Sequence, residues 1–232
     1  PLLVLLLIVA TRLERTYSSG TLALFLVCAI LAVSPWTVRN TLLFGKIVPV
    51  ATNSGENLLM GNSINARPNS GANVDMSPYA RPDLSSMGEV ERDTYLRNAA
   101  IGWITEHPAD AFQLYLRKTL NYFNYRNELS TTTQTSSFRE AVLFVTYYPL
   151  LALAIVRLFW WRRYPMAWQE VVLYGLYVGS AFASAIFFTR IRYRIPFDAL
   201  LIAAVAIFVG HLTRQYLQRT SPGKFRTFRA GL

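Results

Sequence analysis

Long apolar runs, broken only by short polar stretches, constrain this chain more than any other feature. They extend over Pro1 to Ala10, Thr21 to Pro35, Ala141 to Trp161, Glu170 to Phe188 and Phe197 to Leu212. A bilayer core calls for about 20 apolar residues in a helix, and a truncated or tilted span uses somewhat fewer or more. Apolar residues in blocks of this kind mark the membrane class rather than the soluble one. The pattern predicts an all-α polytopic membrane protein with about five transmembrane helices and a partly helical external domain. Its expected organisation is two spans over 1–35, an external region over 36–140, three spans over 141–213 and a basic tail over 214–232. The chain opens at Pro1 inside an apolar run and carries no basic start or cleavage site of a signal peptide. It therefore reads as the C-terminal part of a longer polytopic protein.

Charge sets the expected orientation. Arg12 and Arg15 follow the first run, Arg157, Arg162 and Arg163 the third, and Arg214, Arg219, Lys224, Arg226 and Arg229 the last. If every run crosses, these groups share one side, and the positive-inside rule makes that side cytoplasmic. The basic segment Arg190-Ile-Arg-Tyr-Arg-Ile-Pro196 then falls on the opposite side, between two apolar runs. Cations on that side call for a reason, and an anionic lipid supplies one. Nucleic acid is not expected as a partner, since topology and lipid contact account for the basic tail. Cys28 is alone within a run, so no disulfide framework exists. His107 and His211 fall on opposite sides, which argues against a His/Cys metal centre. No cofactor is expected, although a carboxylate-bound divalent cation stays open.

The external region is too long and too patterned for a mere connection. Lys46 to Ala51 reads as a short strand, and Thr52 to Asp75, rich in Asn, Gly and Ser, as turns and loop. Ser86-Met-Gly-Glu89 matches a capping box. Leu96, Ala99, Ala100, Trp103 and Ile104 follow at helical spacing. His107-Pro108 breaks that helix and starts the next. The second helix is expected to bury Phe112, Tyr115, Leu116, Thr119, Leu120 and Phe123. Tyr122, Phe123 and Tyr125 suit an interfacial aromatic belt. Ser130 to Ser137 reads as a polar loop near the membrane surface.

Three stretches can carry chemistry. Arg190, Arg192 and Arg194 can offer guanidinium forks to phosphate oxygens, with Tyr193 adding a hydroxyl. They can equally bind ordinary headgroups or pair internally, as Arg194 with Asp198 would across one helical turn. Arg39 and Asn40 end the second run on the same side, where Trp36 suits an interfacial anchor. Asn53, Glu56, Asn57 and Asn62 lie in Thr52 to Asn62, whose amides and carboxylate suit sugar hydroxyls. Glu56 can serve there as a base, and Gly55 and Gly61 permit tight turns. The same Asn residues can instead satisfy their own backbone in a turn. Glu106-His107-Pro108 has a catalytic look but sits at a helix break, where a polar residue caps the end. No Ser-His-Asp or phosphate-loop pattern occurs.

Several short motifs occur in a telling order: Pro35-Trp-Thr-Val-Arg-Asn40, Val48-Pro-Val-Ala-Thr-Asn-Ser-Gly-Glu-Asn-Leu58, Gly61-Asn62, Trp103-Ile-Thr-Glu-His-Pro108 and Arg192-Tyr-Arg-Ile-Pro196. Together they resemble the C-terminal half of bacterial C-type membrane glycosyltransferases, the group of the protein O-mannosyltransferases and lipid A aminoarabinose transferases. The resemblance runs from about Thr21 to Val209, and it is the order of the motifs that carries it. It implies a multi-pass inner-membrane enzyme with a large periplasmic loop. Such an enzyme moves a sugar from a polyprenyl-phosphate donor to a periplasmic or lipid-linked acceptor, with inversion. Arg39, Arg190, Arg192, Tyr193 and Arg194 would lie near the donor phosphate. Asn53, Glu56, Asn57 and Asn62 would lie near the sugar and acceptor cavity. The family's key acidic residue lies in a first external loop with no counterpart here. The catalytic residue is therefore expected upstream, with Glu56 the one candidate within the chain, and the fragment alone is expected to be inactive. The rival readings are a transporter or flippase, which would carry charged or broken helices in the membrane, and a non-catalytic assembly subunit.

Overall fold

The computed structural model describes residues 19–71, 73–126 and 136–220. Among these, the chain is all-helical and has no strand. The α-helices are α1 (Ser19–Phe44), α2 (Ser54–Gly61), α3 (Glu89–Glu106), α4 (Pro108–Tyr122), α5 (Ser137–Phe159), α6 (Trp168–Ala185) and α7 (Ile191–Thr220), with a single 3-10 turn at Ser77–Tyr79. The first apolar run, Arg12, Arg15 and Lys224 onward lie outside the described residues, as does most of the Ser130 to Ser137 stretch.

Three helices are long and apolar enough to cross a membrane: Ala23–Phe44 within α1, Ser137–Phe159 and Ile191–Thr220. Helix α6, which takes up the expected run from Glu170 as far as Ala185, is not among them. Its physical character differs. It is buried on several faces through Tyr174, Tyr177, Gly179, Ser180, Ala181 and Ala185, and packs against α7, α5 and α4. A helix enclosed by protein can hold hydroxyls that a lipid-facing helix disfavours, because neighbours satisfy them. Helix α1 is the opposite case: Leu24, Phe25, Ile30 and Leu42 are all exposed. Prolines 35, 149 and 196 lie inside α1, α5 and α7, as membrane helices tolerate.

Two cores result. Tyr122, Tyr147, Ala154, Tyr174, Tyr177, Ala181, Leu201, Ala204 and Val205 join α4 to the α5–α7 bundle. Leu59, Leu96 and Ala100 join α2 to α3. At the far end of the bundle, Arg157 of α5 grips Glu170 of α6 with two bonds of 3.0 and 2.8 Å, both side chains at most 1% exposed. Arg157 also donates to Tyr164 O, and Ala167 N to the Glu170 carboxylate, so the α5–α6 connection is fixed.

The region between α1 and α5 corrects several sequence expectations. Lys46 to Ala51 is not a strand. The last turns of α1 take its carbonyls instead: Trp36 Nε1 and Asn40 Nδ2 donate to Val50 O, and Thr37 Oγ1 to Pro49 O. A segment satisfied this way needs no ladder partner. Thr52 to Asp75 is not all loop, because Ser54–Gly61 is helix. Asp93 of α3 explains that start: its buried carboxylate accepts Gly55 N and Ser54 Oγ at the orphan N–H end of α2. Gly55 and Gly61 serve close packing rather than turns. A Cβ on Gly55 would sit 1.9 Å from Asp93 O, and one on Gly61 1.8 Å from Phe187 O. The capping box at Ser86 does not form. Gly88 precedes the first residue of α3, Ser86 Oγ donates to Asp83 O, and the Glu89 carboxylate accepts from Thr52 Oγ1. Finally, α4 buries Ala111, Lys118 and Tyr122, whereas Phe112, Leu116 and Leu120 are exposed. Its inward face is chosen by a polar anchor, Lys118, which the apolar periodicity does not reveal.

Candidate functional site

The turn between α6 and α7 is held from every side. Asn62 Nδ2 donates to Ile186 O (2.9 Å), and Lys118 Nζ to Phe187 O (3.0 Å). Asn121 Nδ2 donates to Thr189 O (3.1 Å), and Thr189 Oγ1 to Lys118 O (2.9 Å). Arg190 Nε donates to Ser70 O (3.2 Å). Ile186, Phe187, Thr189 and Arg190 are thus fixed by the end of α2, by α4 and by the 68–70 loop. Such a frame can hold a ligand-binding surface without rearrangement.

The expected basic loop is a helix. Helix α7 begins at Ile191, not at Pro196, so the arginines take helical directions. Arg194 turns inward and is 2% exposed. Its Nη1 donates to Tyr122 O (2.9 Å) and Asn124 O (2.7 Å), and its Nε pairs with Asp198 at 3.1 Å. Its guanidinium lies 3.5 Å over the Tyr147 ring. Tyr147 Oη meets Tyr177 Oη at 2.9 Å, and Tyr177 Oη donates to Asp198 Oδ1 at 3.3 Å. Arg194 therefore ties the end of α4 to α7, and its donors are directed at protein. Arg192 is exposed and projects the other way; its Nη2 donates to Tyr193 Oη (2.7 Å), and its guanidinium covers the Tyr193 ring at 4.8 Å. Arg190 is half-buried. Burial first, and then the charge of Arg192, pull its pKa below the ordinary value.

Tyr193 meets two of the expected cavity residues. Asn53, Ser54, Asn57, Ser184, Phe187, Phe188, Tyr193 and Phe197 line a pocket of about 460 Å3. One wall is amide and hydroxyl from α2 and α6. The other is aromatic, from the 186–188 turn and the first turns of α7. Arg190 lines a separate pocket of about 640 Å3 with Arg67, Asp75 and Asn residues of the 64–75 loop. The remaining expected site residues are not in the aromatic pocket. Glu56 points to Arg92, 3.9 Å away. Asn62 is buried, donating to Leu58 O and Ile186 O and accepting from Lys118, so its amide has no capacity for a sugar. Arg39 lies over the Trp36 ring and donates to Asn40 Oδ1, and it lines neither pocket.

Lys118 is not among the expected site residues. It is fully buried, with three neutral acceptors: Gly61 O, Asn62 Oδ1 and Phe187 O, at 3.2, 3.0 and 3.0 Å. Burial pulls its pKa down to about 8. The available signal was a lysine at the i+3 position from Tyr115 and four before Tyr122, on a face otherwise closed by Ala111 and aromatics. Among the described residues no group of three or more His, Cys, Asp or Glu side chains is placed to hold a metal ion. Comparisons of the chain with protein-family models, with curated proteins and with solved structures find no match.

Proposed function

We propose that this chain serves glycosyl transfer, moving a sugar from a polyprenyl-phosphate donor to a lipid or glycan acceptor at the external, periplasmic face of a bacterial inner membrane. One observation carries this reading: the two-walled pocket at the start of a membrane-spanning helix. Its aromatic wall of Phe187, Phe188 and Phe197 suits a prenyl chain or the apolar face of a sugar. Its wall of Asn53, Ser54, Asn57 and Ser184 suits hydroxyls. Arg192, exposed beside Tyr193 on the rim, is the cation offered to a phosphate.

The step is a displacement. The acceptor hydroxyl oxygen bonds to the anomeric carbon as the bond from that carbon to the phosphate oxygen breaks. The electron pair leaves with polyprenyl phosphate, and the hydroxyl proton passes to a base. Negative charge grows on the departing phosphate, and a guanidinium aimed at it favours the transition state over the ground state. Glu56, paired with Arg92 outside the pocket lining, is not offered as the base. The flippase reading draws on the buried Arg194–Asp198 pair. That pair is closed by Tyr122 O, Asn124 O and Tyr177, which suits a structural lock better than a moving ion path.

The test uses the full native chain in proteoliposomes with a labelled polyprenyl-phosphate sugar. Arg192→Ala is expected to lower transfer by about 10- to 1000-fold, in the range seen for lost charge-stabilising donors, with unchanged thermal unfolding. Absence of transfer from every polyprenyl-phosphate sugar offered would end this reading.

A further inference from the structure

A third pocket, of about 360 Å3, lies on the other side of the 64–66 segment from the Arg190 pocket. It falls within the size range of small-ligand sites, about 300–1,000 Å3. Its lining joins the end of α3 to the polar face of α4: Trp103, His107, Asp110, Gln113 and Arg117, with Ser63 on the opposite wall. The Trp103 and His107 rings stack at 5.8 Å with planes 20° apart, and both residues line the pocket. The helix break fixes that pair, because the His107 N–H closes the last turn on Trp103 O and Pro108 starts α4. Asp110, Gln113 and Arg117 then follow on successive turns of one face. Among the described residues their side chains make no hydrogen bond or ion pair.

We propose that this pocket binds a saccharide unit, as the acceptor-recognition site of the transferase. The class follows from the lining. An aromatic lining residue such as Trp103 suits the C–H face of a pyranose ring. A carboxylate, an amide and a guanidinium at fixed spacing supply acceptors and donors for its hydroxyls. A phosphate alone would meet the Asp110 carboxylate, and an apolar ligand would strand the polar groups. The acceptor role rests on the glycosyl-transfer reading; the binding itself does not.

Saturation-transfer NMR on the purified full chain in detergent tests the binding directly. The probes are methyl α-mannopyranoside, methyl β-glucopyranoside and N-acetylglucosamine, with inorganic phosphate as competitor. At least one sugar is expected to receive saturation on its ring protons. Trp103→Leu and Gln113→Ala should each weaken that binding at least about fivefold, the worth of one lost contact. Gln113 is exposed, so its variant keeps the fold. Equal saturation in wild type, Trp103→Leu and Gln113→Ala, or none from any sugar, would overturn the site. Phosphate binding without sugar binding would overturn it as well. Arg192→Ala should keep sugar binding while losing transfer. Sugar binding in a wild-type chain that transfers nothing would remove the transferase reading and leave the pocket standing.

Discussion

Arg192 and Arg194 are two residues apart and do opposite things. One belongs to the bundle interior, where Arg194, Arg157 and Lys118 are each buried and each bonded to several protein acceptors. The other belongs to the external surface, where Arg192 and Arg117 are exposed beside pockets. The difference teaches that a basic motif is not a unit of function. Helical direction sorts its members into those that hold the fold and those that can meet a ligand.

The strongest way to break this contrast is at Arg157. Replacing it with Ala leaves the Glu170 carboxyl buried and without its cation, and should destabilise the protein by about 3–5 kcal/mol. The double variant Arg157→Met with Glu170→Leu removes both charges and should recover most of that loss. Unfolding in detergent micelles measures both. A single variant as stable as wild type would show that the pair does not lock the α5–α6 connection.

Lys118 sharpens the contrast, because its partners are all neutral. Lys118→Met strands Gly61 O, Asn62 Oδ1 and Phe187 O, and should cost about 1–3 kcal/mol. Its pH signature has a definite sign. The lysine titrates at about 8 when folded and at its ordinary 10.5 when unfolded, so between these values the unfolded chain binds more protons. Stability therefore rises with pH across that window, by up to about 3 kcal/mol for full expression of the shift. Below pH 8 both states are protonated, and the burial penalty is present in full. Unfolding at pH 7.5 and 9.5, buffers set near the lower end and middle of the window, should show the rise in wild type and its loss in Lys118→Met.

How far the sequence alone reaches depends on what each residue answers to. The apolar runs answer to water and lipid, a one-dimensional property, and the helices over Ala141 to Trp161 and Phe197 to Leu212 stand where hydrophobicity placed them. The His107-Pro108 break answers to local backbone chemistry and also stands. The strand at Lys46 to Ala51, the loop at Ser54 and the inward face of α4 do not stand, because each is decided by a distant partner: Trp36 and Asn40, Asp93, or the carbonyl of Phe187. The candidate site shows the same division. Asn53, Asn57 and Tyr193 line one pocket. Asn62 is used up by Lys118, which no local pattern reveals, whereas Arg194 is used up in part by Asp198, the partner its one-turn spacing offers.

The smallest expected effect on stability is at Arg192, and it decides the comparison. An exposed guanidinium whose hydrogen bond among the described residues goes to its neighbour's hydroxyl contributes within about 0.5 kcal/mol, so Arg192→Ala should unfold like wild type. Arg194→Ala removes the bonds to Tyr122 O and Asn124 O and leaves Asp198 without its cation, so it should lose about 2–4 kcal/mol. Arg194→Lys should rescue little, because one ammonium cannot reproduce a fork that bridges two carbonyls and a carboxylate. Measured side by side, the pair separates scaffold from surface. If Arg192→Ala unfolds as early as Arg194→Ala, Arg192 is also a structural cation, and the pocket rim has no group left to offer a phosphate. If it unfolds like wild type, any activity it loses is lost at the ligand.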